Sequence, residues 1–114
     1  MSAPHFKLGN LIGIVDRNRF MIDGETEDVM PLEPFADKWR AFGWEVIEVD
    51  GHDFDQLDQA LATAWAATDK PVLILANTVK GKGVDFMENN VVYHYASADS
   101  ELCARAKASI LKEG

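Results

Sequence analysis

The sequence predicts an α/β protein built on a parallel sheet, and three observations carry that prediction. Short apolar runs of strand length stand at residues 11–15, 46–49 and 72–76. Between and after them the apolar residues recur at helical spacing, so strands alternate with helices. The order β-α-β-α-β calls for crossover connections, which set successive strands parallel and wind right-handed. The runs Leu-Ile-Gly-Ile-Val and Val-Leu-Ile-Leu-Ala are, in addition, apolar at consecutive positions rather than at every second one. Strands of that kind need cover on both faces, which implies helices on both sides of the sheet. Three strands and three helices give scant cover, so the fold is expected to be incomplete in this chain and to continue in other sequence.

The elements follow in order. The first strand, 11–15, runs into the polar turn Asp16-Arg17-Asn18. A first helix is expected to begin near Pro34, which suits a first helical turn, with Phe35, Trp39 and Phe42 on one face and Gly43 as a left-handed stop. After the second strand, Asp53 with Gln56 three residues later has the form of a capping box. The helix it opens presents Phe54, Leu57, Leu61 and Trp65 as a stripe expected to pack in the core. A third helix, from about Asp99 to Lys112, is expected to turn Leu102, Ala106 and Ile110 toward a core, with Lys112 near its negative end.

Two connections are long. One runs from Val15 through the acidic residues Glu25, Glu27 and Asp28 to about Glu33, and the other from Asn77 to His94. Long connections in a compact domain tend to carry function. Both leave the carboxyl end of a strand, where open parallel sheets bind their ligands, so they are expected to build one site. Asn18 is its first candidate, because a carboxamide oxygen can serve a hard cation without adding charge; Asn is equally a common turn former.

Composition removes several other functions. At 114 residues the chain allows one domain at most, and a 47% apolar content is that of a globular protein. The net charge of -8 comes without a basic cluster, which argues against nucleic-acid binding through phosphate neutralisation. No apolar run approaches the roughly 20 residues that span a bilayer, and the first ten residues lack a signal-peptide core. A cytoplasmic location is the expectation. Cys103 is the single cysteine, excludes an internal disulfide, and reads as a small helix hydrophobe. The run Lys80-Gly81-Lys82-Gly83 lacks the spacing of a nucleotide phosphate loop. His5 and His52 read as structural or exposed.

Several segments, in this order, resemble the thiamine-diphosphate-binding domain at the amino-terminal end of transketolases. They are Lys7-Leu8-Gly9-Asn10-Leu11-Ile12, Asp16-Arg17-Asn18 followed by Ile22-Asp23-Gly24, and Ala36-Asp37-Lys38-Trp39-Arg40-Ala41-Phe42-Gly43-Trp44. Val49-Asp50-Gly51-His52-Asp53, Thr78-Val79-Lys80-Gly81-Lys82-Gly83-Val84 and Phe86-Met87-Glu88-Asn89-Asn90 complete the likeness, which covers nearly the whole chain. The resemblance implies that residues 1–114 are the carboxyl part of that domain. It further implies that a divalent cation, Mg²⁺ or alternatively Ca²⁺ or Mn²⁺, ties the cofactor diphosphate to the Asn18 side chain and the Phe20 carbonyl. Ile22 then falls where a side chain packs on the cofactor rings. His94 matches a histidine of a Trp-His-Gly segment lining the substrate channel; here the segment reads Tyr93-His94-Tyr95.

The departures are as informative as the matches. The Gly-Asp-Gly motif whose aspartate completes the metal site in the family is absent, as is the pyrimidine-binding domain that supplies the glutamate promoting ylide formation. Residues 1–8 resemble the middle of a helix-to-strand connection, so Met1 is not expected to mark a natural boundary. The implied activity is transfer of a two-carbon ketol unit from a ketose phosphate to an aldose phosphate. The implied partners are the remaining transketolase segments, or a subunit carrying the pyrimidine-binding domain. Two other readings stay open: a non-catalytic module that pairs with an intact transketolase, and part of a different thiamine-diphosphate enzyme such as a deoxyxylulose-phosphate-synthase-like protein.

Overall fold

A computed structural model describes residues 1–112 of the chain. Two compact units are present, one comprising Met1–Arg17 with Leu32–Thr78 and the other Asn18–Pro31 with Val79–Gly114.

The first unit contains the parallel sheet. Strands β1 (Ile12–Arg17), β4 (Glu45–Asp50) and β5 (Val72–Asn77) lie in the order β1-β5-β4, with every pairing parallel. The chain steps from β1 across β5 to β4, through helix α3 (Phe35–Ala41), and then back to β5 through helix α4 (Phe54–Ala66). Right-handed crossovers taken in opposite directions put α3 and α4 on opposite faces, the two-sided cover expected from the apolar runs. On one face Val72, Ile74 and Ala76 of β5 pack with Val49 and with Ala60 and Ala64 of α4. On the other, Leu73 and the Trp44 ring both close over Gly13. Central strand β5 is buried from Val72 to Ala76, whereas β1 and β4 are edges, and Ile14 of β1 is 61% exposed. A short helix, α1 (Ser2–His5), precedes β1 and was not anticipated.

Helix ends follow the local chemistry. Pro34 stands at the N-cap of α3, and Gly43 ends it in the left-handed region at φ +92°, with an added Cβ landing 3.0 Å from Pro4. Asp53 caps α4 by accepting hydrogen bonds from the amides of Asp55 and Gln56 at 3.0 and 3.1 Å. The Gln56 side chain completes the box by a different route, donating to Asp53 while accepting from the Asp50 amide. The amide of Gln56, with its side chain, holds the Asp53 carboxyl below the usual carboxylate range.

One expectation about the core fails. Phe54 and Trp65 are 85% and 76% exposed, while Leu57 and Leu61 pack against the core as expected. At about 100° per residue, the buried face centres between Leu57, Ala60, Leu61 and Ala64, and the two aromatics lie about 70–90° to one side. Alanines let the helix backbone approach β5 closely, and that contact sets the rotation of the helix.

In the second unit, residues 18–31 are not the irregular loop that their polarity suggested. Strands β2 (Phe20–Met21) and β3 (Gly24–Glu25) form an antiparallel hairpin, followed by helix α2 (Thr26–Val29). A 3₁₀ helix spans Val91–His94, and helix α5 spans Ser100–Ile110 with Asp99 as its cap, accepting from the Leu102 amide at 2.8 Å. No residue of α5 is buried, and Ile110 is exposed, so the expected apolar stripe finds no deep core. The helix engages its own unit instead: the Asp85 amide donates to Ser109 Oγ at 3.1 Å, and the Arg105 guanidinium lies 4.5 Å from the centre of the Phe86 ring.

Candidate functional site

The site begins where β1 ends. Asn18, half-buried, turns its Oδ1 back to accept the Phe20 amide at 2.9 Å. Arg19 between them takes a left-handed conformation, φ 66°, and its carbonyl accepts the amide of buried Thr26 at 2.9 Å. This Asx turn feeds directly into the β2-β3 hairpin, in which Phe20 pairs with Glu25 and Met21 with Gly24. Ile22 is at the hairpin tip and is exposed. Asn18, Phe20 and Ile22 therefore share one short stretch whose backbone is shaped by the first of them. The two-residue loop of this hairpin is Ile22-Asp23, and Gly24 opens β3 at φ +148°, a conformation that suits glycine.

His94 belongs to the same unit but reaches it from the other segment, at the end of the 3₁₀ helix. Asn90 caps that helix by accepting the Val92 amide at 3.1 Å, and Phe86 stacks edge-on against Tyr93 at 5.6 Å. The imidazole is exposed and meets the Tyr95 ring edge-on at 4.7 Å, so the tyrosine that follows it is a direct neighbour. Between β5 and this helix, the Lys80–Gly83 run folds back on itself. Asn89 N–H donates to the Lys80 carbonyl at 2.9 Å, and Gly83 N–H donates to Glu88 at 3.0 Å, so these amides are committed to the loop itself.

Within the first unit, the carboxyl ends of the strands are laced together beyond the sheet ladder. Thr78 Oγ1 donates to Asp16 Oδ1, Gly51 N–H donates to the Asn77 carbonyl at 2.7 Å, and Asn77 Nδ2 donates to the Val49 carbonyl. Position 51 admits only glycine in this packing, since a Cβ would stand 2.4 Å from Thr78 Cγ2. His52 is exposed and donates its amide to Asp50, a structural role. Arg17, the last residue of β1, is buried and paired with Glu33 at 2.8 Å. Neither Arg17 nor Glu33 stood out in the sequence, where an arginine beside an asparagine reads as an ordinary turn residue.

Chemically, Asn18 Oδ1 and the Phe20 carbonyl are neutral, hard oxygen donors of the sort that Mg²⁺ accepts. An amide oxygen has two lone pairs, so the bond from the Phe20 amide leaves one for a cation. Among the described residues no three His, Cys, Asp or Glu side chains gather to hold a metal ion. The donors fit a divalent cation whose charge is met from outside this stretch. No helix among the described residues is long and apolar enough to cross a membrane.

Comparison with known proteins adds the wider frame. The family model for the transketolase thiamine diphosphate binding domain matches residues 1–110. The chain is 44% identical over 114 residues to a 6-deoxy-6-sulfo-D-fructose transketolase subunit of Clostridium sp. (strain MSTE9), covering 100% of this chain and 42% of that protein. It is 40% identical over 101 residues to an apulose-4-phosphate transketolase subunit of Phocaeicola vulgatus, covering 89% of this chain and 36% of that protein. The solved transketolase of Campylobacter jejuni superposes with a TM-score of 0.86 at 33% identity, over 96% of this chain and 17% of that one. The chain thus spans about two-fifths of the length of these two subunits.

Proposed function

Because this chain belongs to the transketolase family through its thiamine diphosphate binding domain, we propose that it forms the carboxyl part of a transketolase cofactor domain. In the complete enzyme the activity is transfer of a two-carbon ketol unit from a ketose phosphate to an aldose phosphate. The observation that carries this reading is the Asx turn at the carboxyl end of β1, which presents Asn18 Oδ1 and fixes the backbone at Phe20.

In this reading Asn18 and the Phe20 carbonyl hold the Mg²⁺ that joins the cofactor diphosphate to the protein, and Ile22 gives the cofactor rings an apolar surface. Thiamine diphosphate, when bound, supplies the carbanion stabilisation that ketol transfer needs; the protein supplies position and electrostatics. His94, whose imidazole carries both a donor and an acceptor nitrogen when neutral, donates a hydrogen bond or moves a proton at the substrate. Remaining donors, including a carboxylate for the cation and the glutamate facing the pyrimidine ring, come from other transketolase segments or from a partner polypeptide. Both relatives above carry the word subunit in their names, which supports a divided assembly. Their substrates, a sulfonated and a phosphorylated sugar by name, support an anionic ketose as the substrate class, handled in the cytoplasm.

Two measurements test the reading. Calorimetric titration of the chain alone with thiamine diphosphate and Mg²⁺ is expected to show weak binding or none, because neutral donors alone do not hold a strongly hydrated dication. Micromolar, metal-dependent binding would contradict it. In the complete enzyme, His94→Ala is expected to lower turnover about 100-fold while the half-saturating cofactor concentration stays within about twofold. Steady-state assays with a ketose phosphate donor check this; undiminished turnover removes His94 from the chemistry.

A further inference from the structure

We propose that Arg17 and Glu33 form a clasp that positions the segment carrying Asn18 and Phe20, an inference that rests on the cofactor reading of those two residues. Arg17 immediately precedes Asn18, and Glu33 follows Pro31 by two positions, so the pair closes the excursion 18–31 where it leaves and rejoins the first unit. Arg17 is 4% exposed, and its guanidinium lies 5.3 Å from the centre of the Phe35 ring. Its Nη2 donates to Glu33 Oε1 at 2.8 Å, and the second carboxylate oxygen, Oε2, accepts the Phe35 amide at 2.8 Å. One carboxylate thereby bridges the last residue of β1 and the first residue of α3.

A buried guanidinium held against a carboxylate is a demanding arrangement, since loss of the counter-charge leaves a cation less well compensated in a poorly solvated place. The closed form of the clasp is favoured for that reason. While it is closed, the ends of the excursion are fixed, and the turn at Asn18 starts from a defined point. Ordering of that kind, made before the ligand arrives, lowers the entropic cost of binding. Arg17 and Glu33 touch no reacting atom in this scheme; they are positioning residues. Neither belongs to the apolar cluster beneath α4, which separates their role from that of the core.

Glu33→Gln is the informative variant, because it keeps shape and removes charge at a residue that is half exposed. Amide hydrogen exchange on the 114-residue chain, followed by peptide mass spectrometry, needs no cofactor. Exchange at the Phe20 and Thr26 amides is expected to quicken about tenfold, the weight of one charge-assisted hydrogen bond, with β5 amides unchanged. In the complete enzyme the same variant is expected to raise the half-saturating thiamine diphosphate concentration about tenfold, with turnover at saturation held within about twofold. Arg17→Met, removing the other partner, is expected to act in the same direction. Unchanged exchange at Phe20 and Thr26, or an equal quickening throughout β5, overturns the clasp. An Asn18→Ala enzyme with ordinary cofactor dependence overturns the cofactor reading instead, while the exchange result still judges the clasp by itself.

Discussion

Replacement of Asn18 by alanine is expected to raise the half-saturating concentrations of thiamine diphosphate and Mg²⁺ in the complete enzyme by about 100-fold, the upper part of the range for a lost metal-site contact. Turnover at saturation should change by less than about threefold. The effect is large because one side chain performs two tasks. Its Oδ1 is the proposed cation donor, and the same atom accepts the Phe20 amide and so shapes the backbone whose carbonyl is the neighbouring donor. Alanine removes the first and releases the second. Asn18→Asp keeps an oxygen for both tasks and should stay within about tenfold of the parent. Cofactor titrations of initial rate make the comparison, and an unaltered cofactor requirement in the alanine variant would falsify the ligand assignment.

The second large effect falls on the fold. Ile74 is fully buried at the middle of β5, between Ile14 of β1 and Ile47 of β4 in the sheet register, and packs in the cluster beneath α4. Ile74→Ala is expected to cost about 3–4 kcal/mol, the sum of lost apolar burial and the cavity left behind. Against a total of about 5–15 kcal/mol for an ordinary domain, that is a severe loss. Urea denaturation followed by tryptophan fluorescence measures it. A cost below about 1 kcal/mol would show that β5 is not the centre of the core.

How far the sequence was legible depends on how local the determining physics is. The strands at 12–17, 45–50 and 72–77 were readable because apolar runs and helical spacing are properties of single segments, and their parallel order follows from the crossovers. Asp53, Asp99 and Gly43 marked helix ends for the same reason: a cap is a matter of a few neighbouring atoms. The orientation of α4 was not readable, because two alanines, silent in any hydrophobic stripe, set its contact with β5 and turned Phe54 and Trp65 outward. The hairpin at 20–25 was hidden by its two-residue strands, too short for period-two alternation to register. In the site, Asn18 was reached through its place after a strand and through the family likeness. Arg17 and Glu33 were missed since their pairing joins positions 16 residues apart and leaves no trace in spacing.

The core and the proposed site share no residue: burial is concentrated in β5 and α4, whereas Asn18, Phe20, Ile22 and His94 occupy turns and short elements where few atoms are packed. Exchange of a residue in those turns opens no large cavity, so its stability cost is small beside that of a change at Ile74. Such a division lets sequence drift, or selection for a new sugar, act on the recognition surface without first endangering the scaffold. The transketolase relatives, with their differing named sugars, are what a lineage built on that separation would be expected to leave behind.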